Sequence, residues 1–311
     1  MAYNQSVPSL GSTEQQSRYR LVIVQVLVII FLYINCLMIT TFFMKEVFYR
    51  STRYILFINA LMSDCLYLII TNLLLIFMLF RIYMQMWLCL IIVIVSSLHN
   101  FITPVTLTAM TLERYVAICM PLQHGQICSA QRNLYGILVI HGLSFIPCLI
   151  TILAVFTTVN ITFYHEDVSC TVEKLTITVW QSHLRSGISQ FYFLVMLIII
   201  MFSYIKIMMV AQAASAENKK ASKKGLQTVS LHAFQLLLCL IQFWCPIVEM
   251  ALLPVNYVVY VNVWYMNYIM FSLAPRCLNP LIYGLRDKEF FEALRYYALW
   301  GLYKRKVCLQ N

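Results

Sequence analysis

Seven long apolar blocks limit this chain to very few folds. A helix crossing the hydrocarbon core of a bilayer needs roughly 20 apolar residues. The blocks fall at about 21–44, 54–79, 87–112, 134–158, 186–210, 227–253 and 259–283. In lipid a backbone must satisfy its own polar groups, so runs of this length are helices. Hydrophobic residues make up 61% of the chain and charged residues 11%, where soluble domains carry about a quarter charged. The connections are short and leave no room for a second folded domain. The expectation is an all-α membrane protein, a seven-transmembrane helix bundle with a short amphipathic cytoplasmic helix 8. Residues 1–20 form an extracellular N-terminal tail, 21–283 the seven-helix domain, and 284–311 helix 8 with a cytoplasmic tail.

Basic residues orient the bundle, because cytoplasmic loops carry the excess of Lys and Arg. With the N-terminus outside, the inner side receives Lys219, Lys220, Lys223, Lys224, Arg286, Lys288, Arg295, Lys304, Arg305 and Lys306 among others. The outer side receives Arg18, Arg20, Arg81, Lys174 and Arg185. The net charge of +10 is thus a topology signal facing membrane lipid, and no nucleic-acid partner is implied. Residues 1–20 are polar, so the first helix directs insertion, and the expected location is the plasma membrane as a multi-pass protein.

Under this orientation only Cys89 and Cys170, of eleven cysteines, reach the oxidising side, which points to a disulfide from the start of helix three to the loop after helix four. Cysteines inside the spans, Cys36 and Cys65 among them, are expected to be small buried apolar residues. The acceptor tripeptides Asn4-Gln5-Ser6 and Asn160-Ile161-Thr162 both fall outside; Asn4 is the better glycosylation site, because Asn160 lies close to the membrane.

Asn35, Asp64, Arg114, Arg276 and Asn279 are polar groups at membrane depth, where they should face the bundle interior and find partners. Pro280 removes a backbone donor, and Asn279 can bond the carbonyl so freed, giving a deformable end to helix seven. At this spacing Asn35, Asp64, Cys89 with Cys170, Glu113-Arg114-Tyr115, Tyr204 and Asn279-Pro280-x-x-Tyr283 resemble the rhodopsin-like (class A) G-protein-coupled receptors. Tyr115–Leu122, Phe202-Ser203-Tyr204, the Lys224–His232 run and Pro280–Asp287 are similar to the olfactory (odorant) receptor family, and the phrase His232–Cys239 to its fish members. The resemblance covers about 20–300.

That resemblance implies a small-molecule odorant as ligand and a heterotrimeric G protein, of the stimulatory or olfactory type, as partner. It implies that Glu113 holds Arg114 at rest, that Tyr204 and Tyr283 bridge near Arg114 on activation, and that no cofactor or metal is needed. Departures from the pattern are a helix four without tryptophan, a second outer loop holding only Cys170, and Arg276. Rhodopsin-like receptors commonly place a sodium ion beside the helix-two aspartate; here the Arg276 guanidinium is expected to take its place against Asp64.

A pocket between helices three, five, six and seven is also implied. Its expected lining is Ser96, Ser97, Asn100 and Phe101; Ile188, Ser189 and Tyr192; Trp244 and Ile247; Tyr265 and Ile269. No acid occurs at 96–101 and no lysine in helix seven, which disfavours an amine held by a carboxylate and excludes a retinal Schiff base there. Arg185 and Glu249 are expected at the solvated rim, and His99 and His141 as packed helix residues. Inverted repeats and charge rings, the marks of transporters and channels, are lacking. So are His-Glu-x-x-His and Gly-x-Ser-x-Gly, leaving no support for an enzyme.

Overall fold

The computed structural model describes residues 10–123, 130–171, 177–213, 216–252, 254–278, 280 and 288–298. Its long helices are α1 (Leu10–Phe43), α2 (Thr52–Leu79), α3 (Met86–Cys119), α4 (Ala130–Phe156), α5 (Val179–Ala213) and α6 (Ala216–Leu252). Each of these six contains a stretch long and apolar enough to cross a membrane. The seventh, α7 (Tyr257–Asn267), runs on through a π-helical segment, Tyr268–Leu273, into helical residues 274–278. A short helix α8 (Lys288–Ala298) follows.

The helices outrun their apolar blocks at polar ends. α6 begins at Ala216, well before the apolar block, because Ala-Glu-Asn-Lys-Lys-Ala is good helix former that hydropathy does not register. α1 likewise begins at Leu10. Local chemistry sets other limits. The α2 helix ends where Arg81 takes φ 51°, and the Ile82 N–H then bonds the Phe77 carbonyl at 2.9 Å. The Asn256 side chain caps α7 by accepting from Val258 N at 2.9 Å and Val259 N at 3.2 Å.

Bundle-facing stripes repeat every three or four residues. On α4 the stripe is Ile140, Ser144, Cys148 and Thr151; on α6 it is Val229, Leu236, Cys239 and the partly buried Phe243. The opposite faces expose Ile29, Tyr33, Ile69, Leu138, Phe191 and Ile198, an apolar belt that lipid, not water, suits. Cys36 is on that exposed surface and Cys65 is half-buried, contrary to the expectation of burial; a thiol is apolar enough to meet lipid.

Side-chain hydrogen bonds pin neighbouring helices together. Gln25 and Asn72 exchange two bonds at 2.6 and 3.1 Å between α1 and α2. Asn59 of α2 donates to Thr106 of α3 at 3.2 Å and lies 3.1 Å from His141 Nε2 of α4, while His99 pairs with Ser63 at 3.0 Å. Such bonds act as glue where lipid offers no alternative partner.

One end of the bundle is closed by a two-stranded ribbon, β1 (Tyr83–Gln85) antiparallel to β2 (Asp167–Ser169), with Met84 opposite Val168. The Cys89–Cys170 disulfide is formed beside it, tying the α4–α5 connection to the start of α3. At the other end α8 turns Phe290 and Ala293 into the core against Phe48, Tyr54 and Phe57, while Phe291 faces outward.

Candidate functional site

The α3 helix carries most of the chemistry, and its register orders the site from the ribbon end to the opposite end. Near the ribbon, Ser97, Asn100 and Phe101 face a cleft whose other walls are Pro147, Cys148 and Thr151 of α4, Arg185, Ile188 and Ser189 of α5, and Phe243 of α6, with Ile94 above. Its cavity volume is about 40 Å³, a narrow space beside the roughly 300–1,000 Å³ ordinary for small-molecule sites. Phe101 is the aromatic hinge of this space. Its ring stacks on Phe243 at 5.2 Å and meets Tyr192 edge-on at 5.8 Å. The Tyr192 hydroxyl donates to the Leu143 carbonyl at 2.9 Å, which ties α5 to α4 beside the cleft.

This lining differs from the expected one in two walls. Tyr265 and Ile269 pack with Val24, Val28, Leu68 and Leu273 of the α1–α2–α7 cluster, and the Arg20 guanidinium sits 5.2 Å from the Tyr265 ring centre. The π turn at Tyr268–Leu273 is the cause: it fits an extra residue into the helix, so a face counted back from Asn279 at α-helical spacing is turned away. On α6 the cleft residue is Phe243; Trp244, one step round the helix, is 52% exposed on the lipid side, and Ile247 is 43% exposed. Ser96 is buried but outside the lining. The fourth wall comes from α4, which sequence reasoning missed. Its stripe of small residues, Ser144, Pro147, Cys148 and Thr151, was the available signal. Arg185, expected at the rim, is part of the wall.

Directly below the cleft lies a polar junction in which Arg276 is fully buried. Its Nη2 donates to Asn100 Oδ1 at 2.9 Å, its Nε lies 3.6 Å from Asp64 Oδ1, and its guanidinium sits 4.2 Å from the Tyr67 ring centre. The Thr103 hydroxyl donates to the same Asp64 oxygen at 2.8 Å. Tyr67 accepts from Gln242 of α6 at 2.7 Å, and Gln242 also donates to Ser272 in the π segment at 2.9 Å. Gln235 of α6 reaches the Pro275 carbonyl at 2.8 Å. One cation thus joins α2, α3, α6 and α7, and Asn100 belongs to both the junction and the cleft. Asn35 is fully buried on α1, without a hydrogen-bond partner among the described residues.

At the far end of α3, Arg114 Nε lies 3.5 Å from Glu113 Oε2, with Glu113 8% and Arg114 19% exposed. The Tyr115 ring packs 5.7 Å from Phe202, and Tyr204 rests against the main core cluster. Pro280 is buried at the end of the α7 segment. Asn4, Asn279 and Tyr283 lie outside the described residues. No group of three or more His, Cys, Asp or Glu side chains is arranged to hold a metal among the described residues.

A bundle of this kind, with a cleft at its disulfide-braced end and an acidic-basic pair closing α3 at the other, is the architecture of a receptor. Residues 14–283 match the family model described as 7 transmembrane receptor (rhodopsin family). Odorant receptor 131-2 of Danio rerio is 41% identical over 305 residues, 97% of this chain and 93% of that protein. Olfactory receptor 8K5 of Homo sapiens is 30% identical over 191 residues, 59% of each chain. The chain therefore belongs to the rhodopsin family of seven-transmembrane receptors, in its odorant-receptor branch. Members of this family are multi-pass membrane receptors that work through a ligand and a G protein, and they are not enzymes.

Proposed function

We propose that this receptor sits in the plasma membrane with its N-terminus outside, binds a small-molecule odorant in the α3–α6 cleft, and activates a stimulatory, olfactory-type G protein that raises cyclic AMP. The observation that carries the reading is Asn100, whose side chain both lines the cleft and accepts from the buried Arg276. A ligand that binds one arrangement of Asn100 better than another biases the helices that meet at Arg276, which is all that a two-state receptor requires.

The Glu113–Arg114 pair would hold the resting state, and Arg114 would move toward Tyr204 and Tyr283 when α6 swings away. Asp64 and Arg276 would form a direct pair in place of a bound sodium ion, and Asn279 with Pro280 would loosen the end of α7. Outside-facing Asn4 would be glycosylated. α8, with exposed Glu289, Glu292 and Arg295 beside its apolar side, would lie against the inner leaflet and its lipid.

The test is cyclic-AMP accumulation in cells expressing the receptor, exposed to a broad panel of volatile and water-soluble small molecules. Ligand-dependent rises that vanish in Arg114→Ala at equal surface density are expected. A ligand-evoked current that persists without any G protein would replace this reading with a channel.

A further inference from the structure

The apolar part of α6 carries three long polar side chains at a spacing of seven: Gln235, Gln242 and Glu249. A seven-residue step returns a side chain to almost the same face of a helix, so the three form one stripe. All three bond to α7 and its continuation. Gln235 Nε2 donates to the Pro275 carbonyl at 2.8 Å, Gln242 Nε2 donates to Ser272 Oγ at 2.9 Å, and Glu249 Oε1 accepts from Asn267 Nδ2 at 2.8 Å. Gln242 donates also to the Tyr67 hydroxyl of α2 at 2.7 Å. Between the glutamines lies Cys239, 2% exposed, with Arg276 Nη1 3.9 Å from its sulfur.

Apolar helix faces gain little from each other that lipid does not also give, so hydrogen bonds decide where such a helix rests. These bonds therefore distinguish the observed place of α6 from one further out. Pro246 divides the stripe. It cannot donate to the Gln242 carbonyl, which interrupts the α6 ladder and lets the helix bend there. Glu249 lies on the ribbon side of that break. Both glutamines lie on the far side, in the part of α6 that runs from Ala216.

Resting on the proposed outward swing of α6, we propose that Gln235 and Gln242 are positioning residues. They latch the far part of α6 to α7, and the strength of that latch sets how often the receptor activates without ligand. Phe243, next along the helix from Gln242, is a wall of the cleft, so a guest that displaces its ring moves Gln242 off Tyr67 and Ser272. The latch bonds are between neutral groups, a modest hold that ligand binding can overcome.

The test uses the full-length receptor in cells, without ligand, at matched surface density. One readout is guanine-nucleotide exchange on a co-expressed G protein, with Arg114→Ala as background. The other is modification of Cys239 by methyl methanethiosulfonate, read by peptide mass spectrometry, because this buried thiol meets reagent only when the seam opens. Gln235→Met and Gln242→Met keep the side-chain volume and remove the amide. Each should raise basal exchange and the Cys239 rate by about two- to tenfold, as loss of neutral hydrogen bonds from the resting state implies. Tyr67→Phe combined with Ser272→Ala removes the acceptors and should match Gln242→Met, and all three together should exceed neither. Asn267→Ala cuts the bond on the ribbon side of Pro246 and should leave basal exchange unchanged.

Basal exchange and Cys239 rate both unchanged in the two glutamine variants would overturn the latch, as would a rise in Asn267→Ala equal to theirs. Faster Cys239 modification with unchanged basal exchange, in a receptor that answers ligand, would mean that the seam opens outside activation, and would overturn it too. A receptor that answers no ligand condemns the G-protein reading instead, and Cys239 reactivity then judges the latch alone. Should a glutamine variant miss the surface, Tyr67→Phe with Ser272→Ala carries the same test.

Discussion

The cleft and the junction beneath it share Asn100 yet are built on opposite principles. In the junction the two charges are matched within the protein: Asp64 receives Thr103 and Arg276, and Tyr67 receives Gln242 while its ring meets Arg276. The cleft is walled mainly by apolar side chains, Ile94, Phe101, Pro147, Ile188 and Phe243 among them. The contrast teaches where tolerance lies. Removing a partner in the junction strands a buried charge, whereas under the proposed function removing one in the cleft should change which molecule is preferred.

That difference is sharpest at Arg276. The Arg276→Leu variant leaves Asp64 buried without its cation, a loss of about 3–5 kcal/mol, and surface labelling should fall steeply. The double variant Asp64→Asn with Arg276→Leu should restore part of it; a double variant no better than the single would dissolve the idea of a direct pair. Next in size is Cys89→Ser, which opens the braced end and should cost about 2–4 kcal/mol, seen as reduced surface yield and earlier thermal unfolding of the purified receptor. Thr103→Val removes a charge-assisted bond to Asp64 and should lower stability by about 1.5–3 kcal/mol, with ligand preference unchanged. A preference that does change would blur the line between the two regions.

The smallest expected effects lie on α6 and separate neighbours. Phe243→Ala takes away the ring stacked on Phe101 and should weaken responses to every ligand, by about 0.5–1.5 kcal/mol from the aromatic pair. Trp244→Leu, on the lipid side, should leave concentration–response curves within about 0.5 kcal/mol. Equal effects of the two substitutions would mean that the α6 face has been assigned wrongly.

Much of this was legible in the residues, and the limits have physical causes. Spans were visible because lipid demands about 20 apolar residues, and the disulfide because the expected orientation put Cys89 and Cys170 alone on the oxidising side. Asp64 and Arg276 stood out as the opposite charges at one depth. Faces were harder. A count along α7 assumes one periodicity, and the π turn at Tyr268–Leu273 breaks it, carrying Tyr265 and Ile269 to the α1–α2 side. On α6 the larger ring, Trp244, drew attention from Phe243, though the stripe through Val229, Leu236 and Cys239 leads to the latter. The α4 wall was overlooked because a small-residue stripe gives little hydropathy contrast, and Arg185 because a cation near a helix end is usually solvated.

The central claim is that the ligand occupies the α3–α6 cleft. Ser97→Phe places a ring in that space without touching Arg276, Asp64 or Arg114. At matched surface density, with Trp244→Leu as the lipid-facing control, the account predicts that Ser97→Phe abolishes the ligand-evoked rise in cyclic AMP. A concentration–response curve for Ser97→Phe that overlays the unmodified receptor would contradict it.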